Sequence, residues 1–209
     1  ETSTKTKDYD LESDVKVYVN GYKLKDIEGG ATAVEQAKAY VGETNPAGVV
    51  TLIDETDAAS TATNGDYDVI MITKTVSEMV AYAEARSKAN VITLESGATF
   101  SYDPEDEDTN VVFTFDGEEI AFEDLKEKDV LTITVAPEDL TNLKDIEAAS
   151  VVVTRNTVSG TVSRVGDDTV VVDGAEYDIY PGVAAAVTKD YTFYLDANGV
   201  IVASDEIDA

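Results

Sequence analysis

The stretch VKVYVNGYKL, residues 15–24, decides the fold class of this chain. Val15, Val17 and Val19 alternate with polar residues, and the pair Asn20-Gly21 follows them directly. Alternation of this kind is typical of a strand with one buried face, and an Asn-Gly pair accommodates the two positive φ angles of a tight hairpin turn. The stretch therefore predicts a β-hairpin.

The same pattern returns three times towards the C-terminus. Strand-like residues precede Asp116-Gly117, Asp173-Gly174 and a looser turn over 196–199, and apolar residues follow each of these turns. The intervals between the turns are unequal, which excludes a solenoid of fixed period. Two explanations remain open: internal duplication of a hairpin module, or the ordinary use of Asp-Gly turns in an all-β protein.

Other segments carry strand or helix signals. Runs rich in β-branched residues predict further strands at 49–54, 67–73, 91–94, 130–135, 150–154 and 158–165. Gly160 indicates a bulge or a close backbone approach within the last of these. Residues 32–41 are predicted to form one short helix, because Thr32 is a favourable N-cap before an amphipathic segment. Local propensity also favours helix over residues 75–88.

The composition excludes several classes of function. The 209 residues include 43 acidic and 15 basic side chains, with a net charge of −28 and no His, Cys or Trp. Disulfides, thiolate nucleophiles, zinc fingers, iron–sulfur sites and Ser-His-Asp triads are therefore excluded. A surface this acidic repels phosphate backbones, and no apolar run reaches 18 residues, so we expect no nucleic acid partner and no membrane insertion. Because no signal-peptide pattern follows Glu1, we expect a removed signal or a piece of a longer chain.

A series of short sequence segments, taken in order, gives the chain a family resemblance over residues 15–203. The segments are Tyr18–Gly21, Val50–Asp54, Tyr67–Thr73, Asp103–Asp108, Phe115–Ile120, Glu127–Leu131, Val153–Val162, Asp173–Tyr177 and Thr192–Gly199. Together they resemble the β-rich region of bacterial surface proteins that carry surface-layer homology domains, as in Gram-positive anaerobes. Two departures stand out: the anchoring repeats themselves are not in this sequence, and an insert at 55–66 replaces a compact acidic turn.

The resemblance implies a location and a role. It implies an extracellular, cell-wall-associated structural protein with no catalytic residues, and it favours strand over helix at 75–88. We therefore expect a non-catalytic spacer or display segment of a surface-layer-type protein at the bacterial cell surface. Its expected partners are other parts of a longer surface polypeptide or neighbouring surface proteins.

Calcium is the candidate cofactor, because carboxylates dominate the surface and hard cations take oxygen ligands. The densest acidic run supplies the metal candidates Asp103, Asp106 and Asp108. The alternative is a solvated acidic face that maintains solubility. The turn at 196–199 resembles the start of an EF-hand loop, but its twelfth position is Ile207, which offers no side-chain oxygen.

Tyrosines provide the second candidate site. Tyr191 and Tyr194 lie on opposite faces of a predicted strand, and one of these faces is expected to be core. They are the candidate ligand-binding residues if the chain is instead a module for a glycan or a host ligand. Paired carboxylates for glycoside hydrolysis occur by chance among 43 acids, and no Trp offers a sugar platform, so we expect no enzyme.

The predicted fold is mainly β. It consists of two or three small antiparallel β modules in series, each a short sheet or partly open barrel, with one short helix. The predicted domains are an N-terminal module at 1–74, a middle module at 75–149 and a C-terminal module at 150–209.

Overall fold

The computed structural model describes residues 8–42, 48–54 and 66–207. Over these residues the protein is mainly β, with three separate sheets, none of them closed, and one short α-helix. This confirms the predicted fold class. The chain divides into two compact units, the first ending at Lys74 and the second beginning at Thr75.

The first unit contains a four-stranded sheet and the helix. Its elements are β1 (Leu11–Val19), β2 (Tyr22–Lys23), α1 (Ala33–Ala37), β3 (Val49–Ile53) and β4 (Tyr67–Thr73), and the sheet order is β2-β1-β4-β3. Asn20 and Gly21 have φ angles of 50° and 86° in the turn between β1 and β2, which confirms the predicted hairpin.

The helix forms where the capping signal predicts it, although it is shorter than expected. The Thr32 hydroxyl accepts a hydrogen bond from the Glu35 N–H at 3.2 Å, and the Glu35 carboxylate accepts one from the Thr32 N–H at 2.9 Å. This reciprocal pair is a capping box, and it lowers the pKa of Glu35. Ala33 and Ala37 pack into the small core of this unit, with Val17, Val19, Ile70 and Ile72.

The second unit begins with a seven-stranded sheet. Its strands are β5 (Val76–Arg86), β6 (Ala89–Leu94), β7 (Thr99–Tyr102), β8 (Asn110–Phe115), β9 (Glu118–Ile120), β10 (Val130–Val135) and β11 (Ala148–Thr154). They follow the order β7-β6-β5-β10-β11-β8-β9. The largest core of the described chain lies on one face of this sheet and includes Ile92, Leu94, Phe100, Phe113, Leu131, Ile133, Ile146 and Val151.

A five-stranded sheet completes the second unit. Its strands are β12 (Thr157–Val165), β13 (Thr169–Val172), β14 (Ala175–Asp178), β15 (Asp190–Leu195) and β16 (Ile201–Glu206), in the order β14-β13-β12-β15-β16. Its core contains Val162, Val170, Val172, Ile179, Tyr191, Phe193 and Ile201. A Cβ at position 160 would collide with the carboxylate of Asp173, so the close approach at Gly160 is to a side chain and not, as expected, to a neighbouring backbone.

Three features differ from what the local sequence favours. Residues 76–86 form strand β5, as the family resemblance implies and against their helical propensity. Strand β7 has no counterpart among the predicted strands. Although most strand pairs are antiparallel, β1 pairs with β4 and β11 with β8 in parallel. The predicted boundary at 149–150 falls inside β11, and the division into three domains stays a prediction.

Candidate functional site

The two sheets of the second unit meet at a buried polar contact. We call this contact the joint and define it by Ser77, Thr132, Thr154, Tyr180 and Asp196. The end of β15 and the turn after it lie against one face of the seven-stranded sheet. There the Thr154 hydroxyl donates to the Leu195 carbonyl at 2.7 Å, and the Ala197 N–H donates to the Thr132 hydroxyl at 3.0 Å.

Asp196 is the centre of the joint and is only 1% exposed. Its Oδ1 accepts hydrogen bonds from the N–H groups of Asn198 at 2.8 Å and Val200 at 3.0 Å. Its Oδ2 accepts from the Ser77 hydroxyl at 2.8 Å and from the Tyr180 hydroxyl at 3.2 Å. Both oxygens therefore have two donors, which is how a buried carboxylate is stabilised without a counter-ion.

Tyr180 keeps its proton in this environment. Burial raises the pKa of its phenol, so the hydroxyl remains a donor to Asp196 across the physiological pH range. Ser77 comes from β5, whereas Tyr180 lies between β14 and β15. The carboxylate of Asp196 thus connects three segments that are far apart in the sequence.

A second link crosses between the same sheets at a more exposed position. The Lys128 ammonium donates to Asp205 Oδ2 at 2.6 Å, and the Tyr194 hydroxyl donates to the same oxygen at 2.7 Å. These two donors lower the pKa of Asp205, and the bond to Asp205 raises that of Lys128. Both charges are half-exposed, so this ion pair contributes less to stability than the buried joint.

The covalent connection between the sheets is also held in place. Only Arg155 and Asn156 separate β11 from β12. The Arg155 guanidinium forms two hydrogen bonds to Asp129, at 2.6 Å and 2.9 Å, and lies 4.3 Å from the centre of the Phe115 ring. Asp129 is 1% exposed, and its Oδ2 also accepts from the Lys126 N–H at 2.9 Å. The connection between the sheets is therefore short and fixed at its first residue.

A cleft of about 360 Å³ opens beside the joint. Its polar lining comes from Ser77, Glu78, Glu95, Ser96, Tyr180 and Ser204. Burial raises the pKa of Glu78, which is half-buried, whereas Glu95 is exposed. The cleft offers carboxylate and hydroxyl oxygens, which can accept hydrogen bonds from a hydroxyl-rich ligand.

The predicted calcium candidates lie in an exposed turn between β7 and β8. Asp103 Oδ1 accepts from the Glu105 N–H at 2.9 Å, and Asp106 Oδ1 accepts from the Asp108 N–H at 2.9 Å. These contacts stabilise the turn itself. Among the residues that the structure describes, no three acidic side chains are gathered as a metal site requires. Calcium binding by Asp103, Asp106 and Asp108 stays a prediction.

The two candidate tyrosines have different environments. Tyr191 is 4% exposed, and its ring stacks on Phe193 with 5.3 Å between ring centres. Its ring therefore belongs to the core and has no face available to a sugar. Tyr194 is half-buried, and the Lys128 ammonium lies 5.5 Å from its ring centre. Of the two, Tyr194 alone retains a ring that a ligand can reach.

The joint residues were not identified from the sequence. The only sequence signal at Asp196 is the resemblance of its turn to a cation-binding loop. Ser77, which contacts Asp196, lies 119 positions earlier. The pairing of Ser77 with Asp196 has no local signal. The pairing of Arg155 with Asp129 spans 26 positions and has no local signal either.

Comparisons with known proteins add no assignment. No protein-family model matches the chain. A search of curated proteins finds no match either. Over the described residues, no helix has the length and apolar character needed to cross a membrane.

Proposed function

We propose that this chain is a non-catalytic structural segment of an extracellular, cell-wall-associated bacterial protein of the surface-layer type, where it serves as a spacer or display module. The observation that best supports this proposal is the joint around Asp196. It binds two sheets into one body through buried hydrogen bonds, and a spacer requires parts that keep a fixed distance.

The short connection supports the same role. A flexible pair of modules would need a linker that lets them reorient, and such linkers are exposed and poor in contacts. Here Arg155 is bound to Asp129, and the Leu195 N–H donates to the Asn156 carbonyl at 3.0 Å. Both residues of the connection are thereby tied to the sheets on either side.

The two fully buried acids have structural roles. Asp129 and Asp196 are the buried carboxylates of the described chain, and donors from the protein occupy their oxygens. A general base needs a lone pair directed at a substrate proton. These two carboxylates stabilise the fold instead, and the net charge of −28 keeps neighbouring copies from aggregating.

Labelling of intact cells tests the location. Antibodies raised against the purified chain should label unpermeabilised cells of the source organism, and the antigen should fractionate with the cell wall. A cytosolic enzyme probed in parallel controls for leakage. Label that appears only after permeabilisation would refute the extracellular assignment.

The cleft beside the joint supports one alternative, a surface module that binds a glycan or a host ligand. A glycan microarray tests it with Glu78→Gln, which changes the lining of the cleft. Tyr194→Ala tests the candidate tyrosine, which a ligand can reach but which does not line the cleft. Tyr82→Ala is the matched control for the tyrosine, since Tyr82 is 53% exposed and also lies outside the cleft lining. Binding lost in either of the first two variants and kept in the control would establish the alternative. No binding by the unmodified chain would eliminate it.

A further inference from the structure

The first and last strands of the second unit lie side by side. At one end of β5, Ser77 contacts Asp196, whose N–H donates to the Val200 carbonyl just before β16 begins. Ser77 and Met79 of β5 line one cleft together with residues 202–204 of β16, so the two strands lie against each other.

The Lys128–Asp205 ion pair provides a second point of contact between β16 and the region of β5. The backbone N–H of Lys128 donates to the Val80 carbonyl, and the Lys128 side chain reaches Asp205 near the end of β16. Going from Ser77 to Val80 in β5 therefore corresponds to going from residue 200 to residue 205 beside it. The two strands run in the same general direction.

Tension along the polypeptide would act on β5 and β16 as a shearing force. A pull applied through the chain enters the unit at Thr75, before β5, and leaves it at Ile207, after β16. Because the strands point the same way, these two attachment points are at opposite ends of the pair. Such a pull slides one strand along the other, so the links between the sheets bear load together instead of breaking one after another.

We propose that the joint and the Lys128–Asp205 ion pair form a mechanical clamp, and that the second unit bears tension along the chain. The clamp resists the separation of β16 from β5 when the neighbouring parts of a longer polypeptide are pulled apart. This inference rests on the proposed structural function for its biological purpose. The mechanical property itself belongs to the purified chain, so its failure is distinct from a failure of the cell-surface labelling.

The absence of Cys from the sequence makes the direction of pulling controllable. Full-length chains carrying Thr75→Cys with Ile207→Cys would be pulled through the two thiols in a single-molecule force experiment. A second chain carrying Ser87→Cys with Ile207→Cys is pulled from the far end of β5, where the same links are peeled apart in turn. Complete extension releases roughly 45 nm in the first geometry and roughly 40 nm in the second.

We expect the unfolding force to be higher, by about twofold or more, in the first geometry, because forced unfolding follows the barrier met along the pulled direction. Equal forces in the two geometries would overturn the clamp. This comparison leaves the joint unmodified, so it does not depend on whether a variant folds.

Single substitutions then assign the resistance to named links. Ser77→Ala and Lys128→Gln each remove one link between the sheets, and we expect each to lower the force in the first geometry while leaving the second unchanged. Lys189→Gln is the matched control, since Lys189 pairs with Glu206 within the five-stranded sheet. A fall in force as large for Lys189→Gln as for Lys128→Gln would contradict the assignment.

Discussion

Replacing Asp196 by Ala removes the centre of the joint. Two backbone N–H groups, of Asn198 and Val200, and two hydroxyls, of Ser77 and Tyr180, lose their acceptor. A buried donor left without a partner costs about 1–3 kcal/mol. The hydroxyls can rotate towards other acceptors, whereas the backbone groups cannot, so the two N–H groups dominate the loss.

We therefore expect Asp196→Ala to lower the free energy of unfolding of the second unit by about 3–5 kcal/mol, within the range for removing one partner from a buried polar network. This is a large share of the roughly 5–15 kcal/mol that stabilises a typical domain. Urea unfolding followed by circular dichroism measures the change, provided that the slope with urea is the same in both proteins.

Two milder variants serve as controls for this prediction. Ser77→Ala removes one of four donors to the carboxylate and should cost about 1.5–3 kcal/mol, the range for a hydrogen bond to a charged group. Asp205→Ala removes a carboxylate whose side chain is 46% exposed, so solvent screening keeps the expected loss below about 1 kcal/mol. A loss under about 1 kcal/mol for Asp196→Ala itself, or one no larger than that for Asp205→Ala, would refute the role given to the joint.

Further predictions concern other parts of the chain. Gly160→Ala should cost about 1–3 kcal/mol in thermal unfolding, because its Cβ would displace the Asp173 carboxylate that accepts from the Thr161 N–H; an unchanged melting temperature would contradict this. Thr32→Ala should cost the first unit about 1 kcal/mol in urea unfolding, through the loss of the N-cap. Glu78→Gln should raise the melting temperature at pH 7, because a raised pKa means that folding disfavours the charged form. This gain in melting temperature should disappear once the pH falls below 4.5, the ordinary pKa of a Glu side chain, because the carboxyl is then neutral in both the folded and the unfolded state. A gain that persists below that pH would have another cause. Melting curves in EDTA, magnesium and calcium test the calcium prediction: occupancy at 100 times the dissociation constant adds about 2.7 kcal/mol, whereas equal shifts in both salts reflect screening of charge alone.

Tight turns were the most predictable part of the fold. Asn20, Asp116 and Asp173 all have positive φ, and each is followed by a Gly that also has positive φ. The conformation required at these positions restricts the residue types that fit, so the turns are visible in the sequence. The alternation of Tyr191 and Tyr194 likewise predicted that one face is core, although not which one.

Segment 76–86 illustrates the limit of local propensity. Its residues are good helix formers, yet Val80 is buried in the core that lies on one face of the seven-stranded sheet. Tertiary packing outweighs preferences that amount to less than about 1 kcal/mol per residue. The family resemblance, not the segment's own residues, favoured the correct structure.

Contacts between residues far apart in the chain could not be predicted from the sequence. Nothing local to β1 specifies β4 as its parallel neighbour, since β2, the helix and β3 lie between the two strands in the sequence. The joint has the same character, because the environment of Asp196 is created by residues from β5 and from the segment after β14. An acid in a polar turn is typical of an exposed surface, and only the packing of the two sheets buries this one.

We expect the two sheets of the second unit to behave as one body. Since the chain has no Trp, a single reporter can be placed in either sheet, with Tyr82→Trp in β5 and Tyr177→Trp in β14. Urea unfolding followed by fluorescence should give the same midpoint and slope for both reporters. Two separate midpoints would show that the sheets unfold as independent domains and that the joint does not hold them together.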